Sequence, residues 1–419
     1  MDRPMIPYAA SLGHRLEQAW LARGRDEQVF AELACEHLRA HPPAGALSVD
    51  EIVDWVFSIN PGVTQPEDMK FGQPPVKLYQ GRGFFIEALF WTTSTTAIHQ
   101  HGFSGAFTPI AGSSVHTAWR FESERRLSSR LHVGRLERLS TEHLQVGEVR
   151  RILPGTGFVH QLFHLESPSV TLVARTSVET EHQPQYSYVP PGVAFDPFYS
   201  EPLLERRLAL LELMKNTGAG DFERHAEGLL CSGDAFEAFR GLTFLALAQV
   251  DDALLARLLA AARGTHGEIV DHLYAAATHE RRIRLISKLR KQVTAPEPRF
   301  LLALLMLLPE RDAILEVVAA RHPERDPRAT VMAWLEALSG LDLVGIEFDE
   351  VNQIVFRALL DGCDDGGVLA ALGEVFDAGD IDAQRDDILA HAGAMARSEV
   401  FAALFSESPL VPASGQASA

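Results

Sequence analysis

The chain has 419 residues, of which 46% are hydrophobic, and its formal net charge is −18. This length has room for two or three domains, and the composition is that of a globular protein with a large core. Because so acidic a chain repels phosphate backbones, a nucleic-acid partner is disfavoured. No run approaches the roughly 18–20 consecutive apolar residues that a membrane span needs, so we expect no membrane partner either.

The N-terminus and the cysteines both favour a cytoplasmic location. The first twenty residues lack the apolar stretch of a secretory signal. Cys35, Cys231 and Cys363 lie far apart and show no spacing typical of a disulfide framework. We therefore expect a cytoplasmic protein with reduced thiols.

Residues 1–75 read as an N-terminal helical segment that packs on the domain after it. Leu12, Leu16 and Trp20 recur on one helical face. Ser48 precedes Glu51 by three positions, the pattern of a capping box, and predicts a helix over residues 51–57. A polar loop rich in proline follows.

Residues 76–198 are predicted to form a β-barrel domain. From residue 84 apolar side chains recur with period two, which is typical of strands. Strands are predicted at 84–91, 106–110, 115–121, 132–139, 146–152, 158–163 and 170–176. Strands at such short and regular spacing indicate a sandwich or a barrel.

Residues 199–408 are predicted to form a large all-α domain, so the fold class is α+β. Helices are expected at 203–215, 222–230, 235–247, 253–262, 280–291, 300–308, 313–320, 332–338, 351–360, 368–376 and 388–404. Their breaks suggest stacked antiparallel hairpins, and residues 409–419 read as a disordered tail. No motif for chemistry lies here. The domain is interpreted as a scaffold or homodimer contact, with the binding of a protein partner as the alternative.

Two histidines, His99 and His101, stand two positions apart before the second predicted strand. Because side chains alternate along a strand, both imidazoles can lie on one face and bind one metal ion. His160 follows the turn at 154–157 and is the candidate third ligand, on one side of the ion with the other side open to a substrate. We expect His116 not to be a ligand.

The residues around these histidines resemble the two motifs of the cupin superfamily. The first motif is His-x-His, three or four residues, a glutamate, six residues and a glycine. Here Gly105 stands in the glutamate position and Gly112 in the last one. The second motif is matched, with one extra residue before the proline and one inside the turn, by Gly147, Pro154, Gly157, His160 and His164, the last in an asparagine position. The resemblance covers residues 84–176. It implies a cupin-type antiparallel β-barrel, the double-stranded β-helix.

Gly105 removes the carboxylate that completes the site in many cupins. Three neutral imidazoles leave a divalent ion its whole charge and about three vacant positions, which suits a bidentate anionic substrate plus dioxygen. This arrangement is similar to that of the three-histidine thiol dioxygenases, such as cysteine dioxygenase. The resemblance implies Fe(II) as the cofactor and dioxygen as co-substrate, although manganese, nickel, copper and zinc also bind imidazoles. A tight-packing role for Gly105 is the alternative.

The resemblance weakens on the strand after the third ligand. Thiol dioxygenases usually have Ser-x-His-x-Tyr there, whereas this chain has Thr171, Val173 and Arg175. The side chains that steer cysteine oxidation are thus absent, which argues against cysteine as the substrate. Arg175, Lys77 and Arg82 are instead candidates to hold a substrate carboxylate, and a surface ion pair is the alternative for Arg175.

The sequence therefore predicts a mononuclear non-haem iron oxygenase of the three-histidine cupin type. Its small-molecule substrate would be a chelating anion, a thiol, amino acid or carboxylate, with Arg175 and His164 as the catalytic candidates and His99, His101 and His160 as the metal ligands. Two alternatives stay open. One is a cupin that binds a metal or small molecule without turnover while its helices contact a partner. The other is a non-oxidative metal enzyme.

Overall fold

The computed structural model describes residues 5–58, 63–65, 71–92, 95–177, 182–338 and 349–405. The chain divides into two compact units, Met1–Arg281 and Arg282–Ala419. None of the helices in the described ranges has the length and apolar character that crossing a membrane requires. The division of the helical region from the barrel at residue 198 stays a prediction, and the predicted disordered tail lies outside the described residues.

Three helices precede the barrel: α1 (Pro7–Ala22), α2 (Glu27–Ala40) and α3 (Val49–Val56). Ser48 caps α3, since its side chain accepts a hydrogen bond from the backbone N–H of Glu51 at 3.1 Å. The buried faces of the helices share one core with the first sheet. That core includes Leu12, Leu16, Trp20, Phe30, Ile52, Phe84, Ile86, Ala106 and Leu172.

Eleven strands are described. They are β1 (Pro75–Gln80), β2 (Phe84–Trp91), β3 (Ile98–His101), β4 (Gly105–Ala111), β5 (Ser114–Arg126), β6 (Leu131–Leu144), β7 (Arg150–Ile152), β8 (Gly155–His164), β9 (Ser169–Thr176), β10 (Ser187–Val189) and β11 (Val193–Phe195).

The strands form two antiparallel sheets. One has the order β1-β2-β9-β4-β7, and the other closes on itself as β10-β11-β6-β5-β8-β3. Without β1, β10 and β11, the orders are β2-β9-β4-β7 and β3-β8-β5-β6. Eight strands in this order form the two Greek keys of a jelly roll, the architecture of cupins. The predicted α+β fold with a cupin-type barrel is confirmed.

The structure departs from the predicted strands at several points, and it adds the short strands β10 and β11. The sequence predicts a loop before residue 84, but β1 pairs with β2 along the edge of the sheet, where a leading proline costs no ladder hydrogen bond. The strand predicted from residue 146 begins only at Arg150. Gly147 has a positive φ of 87°, and its turn occupies the beginning of the predicted segment.

The first unit continues with α4 (Pro202–Thr217), α5 (Phe222–Ser232), α6 (Ala235–Ala248), α7 (Asp252–His266) and the start of α8 (Ile269–Gln292). Helix α8 begins eleven residues before the predicted one, which started at residue 280. The apolar faces of α4–α8 share a core with barrel strands β6, β10 and β11. The residues of that core include Leu131, Val133, Val189, Val193, Leu204, Leu211, Phe236, Phe239, Leu242 and Leu273.

The second unit is helical. Its elements are the end of α8, α9 (Pro296–Leu307), α10 (Arg311–Arg321), α11 (Pro327–Glu336), α12 (Glu350–Leu360), α13 (Asp365–Gly373), α14 (Ala378–Ala383), α15 (Arg385–Ala396) and a 3-10 turn (Ala402–Phe405). The helix predicted over 388–404 ends at Ala396. Phe356 on α12 packs edge-on against Phe401 and Phe405, so the segment after α15 completes this core.

Candidate metal centre

Strand register brings the three predicted ligands together. His99 on β3 pairs directly with His160 on β8, and a register shift follows before His101. One ring nitrogen from each of His99, His101 and His160 lies within 4.8 Å of the others. The Nε2 atoms of His101 and His160 are 3.0 Å apart. All three side chains are buried, with 3–7% of their surface exposed.

Burial keeps these imidazoles neutral. It lowers the pKa of His99 to about 4, although the hydrogen bond to the Ala97 carbonyl acts in the opposite direction. Burial also holds the pKa of His101 and of His160 well below the ordinary 6.5, and the neighbouring histidines add to the effect. At neutral pH each ring therefore offers a lone pair, which is the form that binds metal.

For His99, a hydrogen bond shows which nitrogen offers the lone pair. His99 Nδ1 is 2.8 Å from the Ala97 carbonyl, which can only accept, so Nδ1 carries the proton and Nε2 the lone pair. For His101, the described residues include no partner for Nδ1, and Nε2 faces His160.

A cation fits between these nitrogens. The Nε2 atoms of His101 and His160, 3.0 Å apart, share a proton in a hydrogen bond or a cation that replaces it. Two nitrogens bound to one ion at about 2.1 Å and 90° from each other lie about 3.0 Å apart. The buried, neutral, convergent donor set has the geometry to hold a metal ion.

Gly105 does not leave a vacant carboxylate position. A Cβ atom at Gly105 would lie 2.4 Å from the Ala174 carbonyl oxygen and 2.9 Å from the Cα of Arg175. The backbone of β9 thus approaches too closely for any side chain at residue 105. Of the two readings of this glycine, the structure supports tight packing, and the same packing excludes a fourth protein ligand from this position.

A cavity of about 170 Å³ opens over the three histidines. Its wall is mainly apolar and aromatic, with Phe71, Phe85, Leu89, Trp91, Phe103, Phe107, Ile152, Leu162 and Val173. Among the described lining residues, the only charged side chains are Lys77, Glu87 and Arg175.

Arg175 forms an ion pair inside this wall. Its Nε donates to Glu87 Oε1 at 2.7 Å, and Glu87 has 8% of its side chain exposed. The guanidinium stacks on Phe85 at 4.3 Å and on Phe103 at 4.1 Å. Phe103 in turn packs on His101, with ring centroids 4.7 Å apart. Arg175 is thus held one aromatic ring away from the histidines.

The two other candidates for holding a substrate, Lys77 and Arg82, and the catalytic candidate His164 lie in different places. Lys77 lines the cavity, and its Nζ lies 4.9 Å from the centre of the Phe85 ring. Arg82 is exposed and is not among the described lining residues. His164 is fully buried, and it is bonded to Ser114 Oγ at 2.9 Å through Nδ1. Its ring stacks on that of Trp91, with ring centroids 4.7 Å apart. Trp91 lines the cavity and His164 is not among the described lining residues, so His164 contacts the cavity wall through Trp91.

His116 contacts the histidine cluster, although its position in the sequence does not indicate this. Its Nε2 is 3.1 Å from His160 Nδ1, and its Nδ1 is 2.7 Å from Glu142 Oε1. Hydrogen bonds from His116 and Arg150 lower the pKa of Glu142 to about 2. His116 is not among the three described residues that could hold an ion together, but it contacts one of them.

Comparison with known proteins finds only distant likeness. No family model matches the chain, and no curated protein matches it. Among solved structures, that of the DMSP lyases RdDddP and RnDddQII is 11% identical, covers 41% of this chain and 96% of that chain, and has a TM-score of 0.23. An oxalate oxidase in complex with glycolate is 16% identical over 40% of this chain and 83% of that one, with a TM-score of 0.21. E. coli ycfD is 16% identical over 33% and 32%, with a TM-score of 0.19.

Likenesses this weak carry no argument about chemistry. The cupin-type architecture rests on the order of the strands, and the candidate metal centre rests on the three buried histidines that this order brings together.

Proposed function

We propose that this protein is a mononuclear non-haem iron(II) dioxygenase of the three-histidine cupin type. The observation that carries the proposal is the convergence of three neutral, buried imidazoles with no carboxylate among the described residues of the cluster. Bound there, iron(II) would supply redox chemistry with dioxygen at an ion that keeps positions open for a chelating substrate.

The chain's own residues bind and orient the substrate. His99, His101 and His160 would hold the metal. Arg175 would hold a substrate anion: its Nε is engaged by Glu87, and its terminal nitrogens, for which the described residues show no partner, are the donors that remain. Lys77 adds a second positive charge to the same wall.

The wall of the cavity favours a substrate with an apolar body. Aromatic and branched side chains make up most of it, and an apolar body packed against them would displace water from around the histidines. We infer an acid larger than cysteine, with a chelating head at the metal and an apolar or aromatic body. The site offers less for hydrolysis, which needs a general base. The carboxylate of the described wall, Glu87, is paired with Arg175 and is not available as a base.

Metal analysis tests the site. Protein purified without oxygen and loaded with iron(II) is expected to bind one equivalent, and His160→Ala is expected to lose it. His132→Ala is the matched control, because His132 belongs to the same barrel but bonds to Ser123 and Tyr186 instead of the cluster. Equal iron binding by wild type and His160→Ala would refute the assignment.

Oxygen consumption tests the reaction. A panel of cysteine, 3-mercaptopropionate, mandelate and phenylpyruvate compares small polar chelators with acids that have an apolar body. Iron-dependent oxygen uptake with one of these compounds supports the dioxygenase. Binding without uptake supports a cupin that does not turn its ligand over, and turnover without oxygen supports a non-oxidative enzyme.

A further inference from the structure

A line of hydrogen-bonded side chains runs from the half-exposed Glu142 to the histidine cluster. On the barrel sheet, His116 of β5 pairs directly with Glu142 of β6, while Ala118, two residues on, pairs with His160 of β8. His116 and Ala118 lie on one face of β5 because side chains alternate. The small side chain of Ala118 leaves space beside His160, and the ring of His116 reaches it at 3.1 Å.

The line has one direction. A carboxylate only accepts, so the 2.7 Å contact to Glu142 requires His116 to carry its proton on Nδ1. In the neutral His116 ring, Nε2 then has a lone pair and accepts from His160 Nδ1. The proton of His160 is therefore on Nδ1, and the lone pair of its Nε2 is directed at the cluster. One carboxylate thus determines the tautomer of two successive rings.

Glu142 is itself held in place. Arg150 donates from Nε to Oε1 at 2.8 Å and from Nη2 to Oε2 at 2.7 Å, the two-pronged geometry that orients a carboxylate. Oε1 therefore accepts from both Arg150 and His116. The ion pair keeps the carboxylate charged, and a charged acceptor holds a neutral imidazole in one tautomer more strongly than a neutral one does.

We propose that Glu142, acting through His116, is a positioning residue that keeps the Nε2 lone pair of His160 available for the metal. The proposal rests on His160 as a ligand, which is part of the proposed function. It assigns Glu142 and His116 a role that the sequence pattern does not indicate. Residues that orient a ligand histidine typically change metal affinity by 10- to 100-fold when they are removed.

The first test measures metal affinity with Zn(II), a redox-inert probe, in competition with a chelating dye. Glu142→Leu removes the acceptor and is expected to weaken Zn(II) binding by about 10- to 100-fold. Glu142→Gln keeps an oxygen acceptor and is expected to restore most of that affinity. Glu148→Leu is the matched control, because Glu148 also contacts Arg150, at 3.4 Å, but does not touch His116. Its affinity is expected to equal that of wild type.

The second test reads the tautomer directly. In protein labelled with 15N at histidine, NMR is expected to show His160 protonated at Nδ1 in the wild type, with or without Zn(II), and a mixture of tautomers in Glu142→Leu. An unchanged tautomer in that variant, or unchanged Zn(II) affinity, would overturn the proposal. If wild type and His160→Ala bind Zn(II) equally weakly, the metal assignment fails. The NMR of the metal-free protein still decides whether Glu142 orients His160.

Discussion

Variants of the ion pair between Arg175 and Glu87 are expected to affect the stability of the barrel and the binding of substrate differently. Replacing Arg175 with methionine leaves Glu87 buried, with 8% of its side chain exposed, and without its cation. Breaking one side of a buried pair typically costs about 3–5 kcal/mol. Since Arg175 is itself 19% exposed and one hydrogen bond joins the pair, we expect a loss near the lower limit, about 3 kcal/mol.

The matched control is the double variant Glu87→Gln/Arg175→Met, which removes both charges. Its free energy of unfolding is expected within about 1 kcal/mol of wild type, because no charge is left without a partner. Substrate binding should behave differently. Losing a charge-assisted hydrogen bond worth about 1.5–3 kcal/mol weakens affinity by about 10- to 150-fold in both variants.

Urea denaturation followed by tryptophan fluorescence measures the first quantity. The second is measured by titrating metal-loaded protein with the acid that gives oxygen uptake. A single Arg175→Met variant as stable as wild type would refute the electrostatic argument. A double variant that binds the acid as tightly as wild type would show that Arg175 does not hold the substrate.

Three further predictions follow from the geometry. Gly105→Glu should lower the free energy of unfolding by about 2 kcal/mol or more, because its Cβ would lie 2.4 Å from the Ala174 carbonyl oxygen of β9. Tighter iron binding at unchanged stability would contradict this prediction. Metal-free protein should lose stability as pH falls from 6.5 towards 4, by up to about 3 kcal/mol for His99 alone, because the unfolded chain takes up a proton that the folded one excludes. His101 and His160 act with the same sign, so a urea midpoint equal at pH 7.5 and pH 5 would refute it. Lys77→Gln should leave the urea midpoint unchanged and weaken the affinity for the acid severalfold, and that affinity should depend less on salt than in wild type. A wild-type affinity that is equal at low and high salt would count against this prediction.

Local sequence patterns were sufficient for the elements whose cause is local. Ser48 and Glu51 stand at capping-box spacing, and Ser48 caps α3. The period-two segment at 84–91 coincides with β2. The period of a strand also places His99 and His101 in one cluster, although the structure adds a register shift between them that the spacing does not indicate.

Contacts between strands were beyond the sequence. His116 and Glu142 are 26 residues apart, and only the register of β5 on β6 makes them neighbours. The same holds for Glu87 and Arg175, which are 88 residues apart. A signal was present in each case: a carboxylate within the apolar strand β2 needs a buried cation, and a histidine inside β5 needs a hydrogen-bond partner. The sequence shows that a partner is needed but not which one.

The packing at Gly105 also has a consequence for thermodynamic linkage. With that position closed by backbone, no carboxylate from it offsets the charge of a cation bound to three neutral rings. An anionic substrate would provide that compensation, so metal and substrate should each raise the affinity of the protein for the other by the same factor. Iron should therefore dissociate more readily from the resting protein than from the complex, and the cellular level of the substrate would help to determine how much of the protein carries metal.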